Sequence, residues 1–346
     1  MGNKLEGEKR QVVLGVGATG RCGLITARGT HTHPPTMASG VLDWLRWSMT
    51  QDAWVYAKAP MSWYPSGAPR SMHPTIDDLA WAIPCAIVLS VFRAVATRLI
   101  YKPAAIHFLS ARNKSEPVAV KKFTESAFKC TAYIVLSAQG LTIQFREKWL
   151  LDTSEYWRGW PQVLVPGMRL YYITELSLYL HLLIAQFFDT RRKDFVEMFI
   201  HHIVTIPLIV ASYCVNFERI GGTIMIVHDL SDVFLEAAKL ANYANARMLC
   251  DSLFVAFAIV FFCTRLVILP WKIMYTIMIE SLDYVISPIG WPFHSGFMAV
   301  LIVLHVFWFQ IILRMVFKFL RAGSVEGDDR SDDEDEECTT EQKKSK

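Results

Sequence analysis

The clearest indication of the fold lies in residues 195–243, which read FVEMFIHHIVTIPLIVASYCVNFERIGGTIMIVHDLSDVFLEAAKLANY. The stretch holds two apolar blocks, each close to the roughly 20 residues that a helix needs to cross a bilayer. Only the short connection NFERIGG separates them, so we expect two antiparallel helices that lie side by side. Both blocks also contain ionisable side chains, which are uncommon inside a membrane.

The whole chain has the composition of a membrane protein. It has 346 residues, 53% of them hydrophobic, and a positive mean hydropathy, which is too apolar for a soluble domain of this size. A net charge of +3 is too small to indicate a nucleic-acid partner. We therefore predict an all-α polytopic membrane protein with about seven transmembrane helices. The apolar blocks are residues 76–100, 127–145, 170–188, 195–215, 220–241, 249–269 and 297–319.

Basic residues indicate the topology. They concentrate in the loop after the first block, in DTRRKD between the third and fourth blocks, and after the seventh block. These three regions lie on the same side of the membrane if all seven blocks span it. The positive-inside rule assigns that side to the cytosol. We expect a lumenal N-terminus and a cytosolic C-terminus. The predicted domains are a flexible arm with a short amphipathic segment (1–75), a transmembrane domain (76–320) and a disordered acidic tail (321–346).

Two of the blocks carry a concentration of imidazoles and carboxylates. His201 and His202 are adjacent on one helix, about 100° apart around its axis, so they cannot both face lipid comfortably. On the next helix a polar stripe is formed by His228, Asp229, Asp232 and Glu236. An ionisable residue at a helix centre costs about 2.5–3.5 kcal/mol on insertion, which favours a functional role for the cluster.

Isolated polar residues elsewhere in the spans have a simpler interpretation. His107 and His181 are isolated histidines, and a single buried histidine in a helix bundle is usually an interhelical hydrogen-bonding group. Arg265 and Glu175 are interpreted as paired structural charges.

Several chemistries are excluded by missing motifs. A membrane di-iron site needs many histidines in repeated boxes, whereas this chain has one His-His pair, and it has neither HExxH nor GxSxG. The seven cysteines are scattered without a CxxC pair, so no disulfide framework and no metal site is predicted. Imidazole chemistry supported by carboxylates remains, either general base catalysis or attack by a histidine on an acyl group.

The same residues resemble a known family. Residues 187–243 are similar to the Lag motif of ceramide synthases, which belong to the TLC superfamily, and residues 152–161, 171–186 and 254–270 also resemble that family. The resemblance implies that six of the helices form a TLC-type bundle around the active site. The chain differs in one respect from many animal members, which have a homeobox-like domain between the first two spans. Residues 101–126 are too few to form such a domain.

The resemblance also implies an activity. It implies an endoplasmic reticulum enzyme that joins a fatty acyl group from acyl-CoA to the amine of a sphingoid base, with no cofactor besides this co-substrate. Matched by motif position, His201, His202, Asp229 and Asp232 are the catalytic residues, with His228 and Glu236 as supporting groups. Membrane lipids and a homo- or heterodimer partner are the other expected contacts.

The expected chemistry fits these residues. An imidazole with an ordinary pKa near 6.5 can take the proton that a sphingoid ammonium must lose, or can attack the thioester itself, and Asp229 or Asp232 would orient it. The basic loop is a candidate site for the phosphates of coenzyme A, through Arg191, Arg192 and Lys193. Two alternatives stay open, a non-enzymatic lipid sensor or carrier of the same superfamily and a proton-coupled transporter.

Overall fold

The computed structural model describes residues 73–109, 116–150, 152–284 and 291–322. Most of the predicted N-terminal arm and of the acidic tail lies outside these ranges, so the division of the chain at its two ends stays a prediction.

The described residues form long helices and no strand. Each of the seven predicted apolar blocks lies wholly or almost wholly within one long helix. We number these helices α1 (Ile76–Phe108), α2 (Pro117–Gln144), α3 (Met168–Ala185), α4 (Phe195–Cys214), α5 (Glu218–Tyr243), α6 (Arg247–Tyr284) and α7 (Trp291–Ala322). Only eight residues separate α1 from α2, so the predicted absence of a domain between the first two spans is confirmed.

Four of the helices are long and apolar enough to cross a membrane, namely α1, α4, α6 and α7. The chain is therefore an all-α polytopic membrane protein, as predicted. Helices α2, α3 and α5 carry more of the buried polar groups, and their spanning of the membrane stays a prediction. In α1 the charged residues are accommodated locally, since Asp78 accepts a hydrogen bond from the Thr75 N–H (3.1 Å) and Arg93 pairs with Asp189 (2.5 Å).

Local chemistry explains where several helices begin and end. Pro117 starts α2, where a residue without a backbone N–H loses no helical hydrogen bond. Gly167 precedes α3 with φ 90°, a left-handed conformation that glycine adopts readily. Asn216 and Asn245 follow α4 and α5 with φ 61° and 57°, and asparagine is among the few other residues that tolerate this region.

Helix α5 lies at the centre of the bundle. It packs along α2 and α6 most extensively and also contacts α3 and α4. Helix α1 packs mainly on α3, and α7 packs on α4 and α6. The predicted neighbours α4 and α5 do contact each other, but a cavity lies between them. Gly221 permits the close approach at the start of α5, because a Cβ there would overlap the Tyr172 hydroxyl.

Helix α6 changes its winding near the middle. It is an ordinary α-helix over Arg247–Phe261 and then a wider π-helix over Phe262–Met274, with Pro270 inside the wide segment. Proline lacks the N–H that an α-helix needs at that position, which is a common reason for altered winding. Arg265, which reaches the site described next, projects from this wide segment.

Candidate active site

His201 and His202 lie in the wall of the largest described cavity. They project from α4, and only 7% and 4% of each residue is exposed. The rings are 5.6 Å apart between centroids, and Tyr179 of α3 packs about equally close to both, at 6.2 and 6.0 Å. The Nδ1 atom of each ring is buried and has no hydrogen-bond partner among the described residues.

The cavity leads from this histidine pair to the α3–α4 loop. Its volume is about 190 Å³, and its middle is lined by apolar residues of α4, α6 and α7. A hydrocarbon chain fits such walls because apolar surface is removed from water there. The mouth is polar and includes Asp189, Thr190, Arg192 and Asp194.

Asp232 also lines this cavity, but it is paired with a cation. Its Oδ1 lies 2.6 Å from Nη2 of Arg265, and the same Nη2 lies 2.9 Å from the carbonyl oxygen of His228. The Arg265 guanidinium also lies over the ring of Phe261, 4.9 Å from its centroid. Arg265 therefore belongs to the cavity wall, and the interpretation of it as a paired charge is confirmed with Asp232 as its partner. For Glu175 the same interpretation was wrong, because it lies beside the carboxyl group of Asp229.

Asp229 occupies a different position. It is fully buried and lines neither of the two described cavities. Its nearest ionisable neighbour is Glu175 of α3, which is equally buried. The two aspartates of the motif thus face different surroundings. Asp232 lines the cavity and Asp229 does not, because residues three apart on a helix point in directions about 60° apart.

No hydrogen bond joins either aspartate to His201 or His202 among the described residues. The structure brings His201, His202 and Asp232 to one cavity. The predicted orienting role of an aspartate is not visible as a direct contact.

His228 and Glu236, the supporting residues of the predicted stripe, lie at opposite ends of it. His228 lines a second, apolar cavity of about 40 Å³ between α4, α5 and α7. Glu236 lines the first cavity closer to the mouth, where its Oε1 lies 2.7 Å from Nζ of Lys239.

The last helix contributes two residues that sequence reasoning missed. The His305 Nε2 lies 3.1 Å from the His228 Nε2, and Trp308 packs edge-on against the ring of His201 at 5.6 Å. Trp308 also donates its indole N–H to Oδ2 of Asp194, at 3.1 Å. The rule that intramembrane ionisable groups are functional applies to His305 as much as to His201, so that rule could have found it.

The basic loop is only partly at the cavity. Arg192 lines the mouth, whereas Arg191 is exposed and stacks on the ring of Phe195, 5.0 Å from its centroid, and Lys193 is also exposed. Two lysines from other helices join Arg192 at the cavity, Lys129 of α2 and Lys239 of α5. The three basic groups come from separate parts of the chain.

The isolated histidines lie away from the cavity. His181 bridges α3 and α1, with its Nδ1 2.8 Å from the Ser90 hydroxyl and its Nε2 3.3 Å from Arg93, which confirms its interpretation as an interhelical hydrogen-bonding group. His107 instead is exposed and packs on Phe108, at 4.9 Å between ring centroids, so the same interpretation was wrong for it. Within the described ranges, no three His, Cys, Asp or Glu residues are grouped to hold a metal ion.

Comparison with known proteins identifies the family. Residues 122–314 match the TLC domain, which is more than half of the chain. The chain belongs to the TLC-domain family. The matched residues run from the first turns of α2 into α7, so they contain the six helices that surround the cavity, and α1 precedes them.

Relatives within this family are ceramide synthases and a plant protein. Ceramide synthase 4 of Bos taurus is 43% identical over 229 residues, 66% of this chain and 58% of the relative. Ceramide synthase 5 of Homo sapiens is 43% identical over 238 residues, 67% of this chain and 61% of the relative. ASC1-like protein 3 of Oryza sativa subsp. japonica is 35% identical over 273 residues, 73% of this chain and 96% of the relative.

The chain thus spans about three fifths of the length of the two ceramide synthases. The resemblance to ceramide synthases inferred from the Lag motif is confirmed at this level. The TLC domain supplies the helices and the cavity described above.

Proposed function

We propose that this protein is an N-acyltransferase that forms ceramide or dihydroceramide from a fatty acyl-CoA and a sphingoid base. The observation that carries the proposal is the histidine pair in the wall of a largely apolar cavity, whose polar mouth carries basic side chains beside acidic ones. The apolar walls can hold the hydrocarbon chains of the two substrates, and the polar mouth can hold the nucleotide part of acyl-CoA. The imidazoles can catalyse formation of the amide bond. Two of its relatives are named ceramide synthases, after this activity.

The reaction replaces a thioester by an amide. A sphingoid ammonium first loses a proton, and the neutral nitrogen then attacks the thioester carbonyl carbon. The N–C bond forms, the C–S bond breaks, and the thiolate of coenzyme A takes up a proton. One imidazole can accept the proton from the nitrogen and return one to the sulfur. Alternatively, His201 or His202 attacks first, and the amine then resolves the acyl-imidazole.

Asp232 has a role in this proposal that differs from orienting an imidazole. Its carboxylate faces the cavity and is partly exposed there, with 22% of the side chain accessible. An anionic group in an apolar wall attracts the ammonium of the incoming base, and Arg265 holds the carboxylate in place. Asp229 lies on the side of α5 that faces Glu175 of α3, where its role is to support the packing of the two helices.

The mouth of the cavity is the proposed site of the coenzyme A phosphates. Arg192, Lys129 and Lys239 line it, and guanidinium and ammonium groups are the usual partners of phosphate oxygens. Arg191 and Lys193 of the same loop are weaker candidates for phosphate contacts because neither lines the cavity. The proposal includes no metal and no cofactor besides the co-substrate.

The membrane orientation is proposed from the charge pattern. The chain is assigned to the endoplasmic reticulum with its C-terminus in the cytosol, its basic mouth on the same side and its N-terminus in the lumen. Asn113-Lys114-Ser115 is a glycosylation sequon in the predicted cytosolic loop, so it should stay unmodified. A glycosidase-sensitive mass shift that disappears in Asn113→Gln would place this loop in the lumen and contradict the proposed orientation. A homo- or heterodimer stays a prediction.

A direct assay tests the activity. Purified protein in detergent is incubated with sphinganine and labelled acyl-CoA, and the amide product is measured for wild type, His201→Ala and a His181→Ala control. The control removes a buried histidine that lies outside the cavity. We expect product from wild type and control and none from His201→Ala. Binding of both lipids without product would indicate a lipid sensor or carrier, and proton-dependent lipid movement in vesicles would indicate a transporter.

A further inference from the structure

His228 and His305 form a buried imidazole pair beside the active site. Their ring centroids are 4.9 Å apart, and their Nε2 atoms are 3.1 Å apart. His305 is fully buried and lines neither described cavity, so it does not meet the substrates directly.

The hydrogen bonds of this pair determine which nitrogen carries each proton. The His228 Nδ1 lies 2.7 Å from the carbonyl oxygen of Ile224, one helical turn earlier. A carbonyl oxygen can only accept, so this Nδ1 carries the hydrogen, and the Nε2 of a neutral His228 is a bare acceptor. Two bare nitrogens at 3.1 Å would repel each other. The Nε2 of His305 therefore donates to the Nε2 of His228.

The pair is connected to His201 from two sides. The ring of His228 lies 6.5 Å from the ring of His201, on the α5 side. The ring of Trp308 lies 5.6 Å from His201 and 6.3 Å from His305, on the α7 side. His305 thus contacts two of the four rings that lie around His201, namely those of His228 and Trp308. The carbonyl of His228 also accepts from Arg265, the partner of Asp232.

We propose that His305 is a positioning residue for His201. It fixes the ring of His228 through the Nε2–H···Nε2 hydrogen bond, and together with Trp308 it keeps the face of His201 directed at the cavity. This inference rests on the proposed function for its kinetic consequence. Its structural consequence, the orientation of His201, can be measured separately.

Two amide substitutions separate the hydrogen bond from the bulk of the ring. Glutamine in His305→Gln brings its amide N–H₂ to the position of the lost Nε2–H, whereas the shorter side chain of His305→Asn cannot reach it. Both variants place a neutral amide in the same buried site. His181→Asn is the matched control, a buried histidine replaced outside the cavity.

The first measurement is steady-state acylation with sphinganine and acyl-CoA. We expect His305→Asn to lose kcat by about 10- to 100-fold, the usual effect of a misplaced reacting group, with KM for both substrates unchanged within about a factor of two. His305→Gln should recover most of the lost kcat, and His181→Asn should resemble wild type. Equal kcat for the Gln and Asn variants, or a change in KM alone, would refute the proposal.

The second measurement does not need turnover. Diethyl pyrocarbonate modifies accessible imidazole nitrogens, and mass spectrometry of the peptide that contains residues 201 and 202 reports the rate. Loss of positioning should change this rate several-fold in His305→Asn and leave it near wild type in His305→Gln. An unchanged rate in both variants would overturn the positioning role. If wild-type protein makes no amide, the proposed function fails, while this measurement still decides the role of His305.

Discussion

Asp232 and Arg265 form an ion pair, 2.6 Å between Oδ1 and Nη2, in the wall of the cavity that contains the histidine pair. They are 33 residues apart in the chain and come from two different helices, α5 and α6. The arginine side chain is 5% exposed and the aspartate side chain 22%, so neither charge is fully solvated. This pair links the Lag-like motif of residues 187–243 to a helix that lies outside it.

Breaking the Asp232–Arg265 pair from one side should destabilise the fold. Arg265→Met leaves the Asp232 carboxylate without its cation, and loss of one partner of a buried pair costs about 3–5 kcal/mol. The double variant Arg265→Met/Asp232→Asn should recover much of this loss, because no unpaired charge remains. Unfolding in detergent, arranged as a double-mutant cycle, measures the coupling. Additive losses would mean that the pair contributes little to stability.

The two aspartates should differ in their effect on activity. Asp232→Asn removes the cavity carboxylate and should lose acylation. It also leaves the buried Arg265 guanidinium without its anion, so the activity is compared per amount of folded protein. Asp229→Asn removes a carboxyl group that faces Glu175 rather than the cavity. Two adjacent buried carboxylates repel each other, so this neutral replacement should keep the fold and reduce kcat less than Asp232→Asn. A greater loss in Asp229→Asn would assign the catalytic role to the buried site.

A trapping experiment should show which of the two histidines, if either, becomes acylated. If an acyl-imidazole forms, protein incubated with acyl-CoA and no sphingoid base will gain the mass of the acyl group on one histidine. The peptide that contains residues 201 and 202 is isolated after acid quenching and fragmented. Acylation that is absent from His201→Ala identifies His201 as the nucleophile. A wild-type enzyme that turns over but never acquires the mass favours general base catalysis.

Removal of a basic side chain at the mouth should weaken acyl-CoA binding. Arg192→Ala should raise KM for acyl-CoA by about 10-fold, typical of one charge-assisted hydrogen bond, and leave KM for the sphingoid base unchanged. Lys193→Ala, in the same loop but outside the cavity, is the matched control. Added salt should shrink the difference, since screening weakens partly exposed charges. Equal effects of the two variants would place the phosphates outside this mouth.

A close helix contact can be tested with glycine substitutions. Gly221→Ala would bring a Cβ against the Tyr172 hydroxyl and Ser212 Oγ, and such overpacking costs about 1–3 kcal/mol. Gly296→Ala is the control, because no described group beyond its own helix backbone lies within 4 Å of its added Cβ and alanine favours a helix by about 0.5–1 kcal/mol. Unfolding in detergent should show a loss for the first and no loss for the second.

The sequence by itself determined the helices, the membrane class and the family. Apolar blocks long enough to span a bilayer predict helices because the bilayer leaves backbone groups no other partner, and the residues 195–243 carry enough of the Lag motif to identify the TLC superfamily. His201, His202 and Asp232 were recognised as site residues because ionisable groups are costly in an apolar span. These inferences depend on local pattern, which a linear chain displays directly.

Only the tertiary structure decided which groups meet. The sequence does not reveal that Arg265 reaches Asp232, that Asp229 turns towards Glu175, or that α7 brings His305 and Trp308 to the histidines. His228 and His305 are 77 residues apart. Their contact depends on the rotation and packing of separate helices, which many side chains fix together and no single motif encodes.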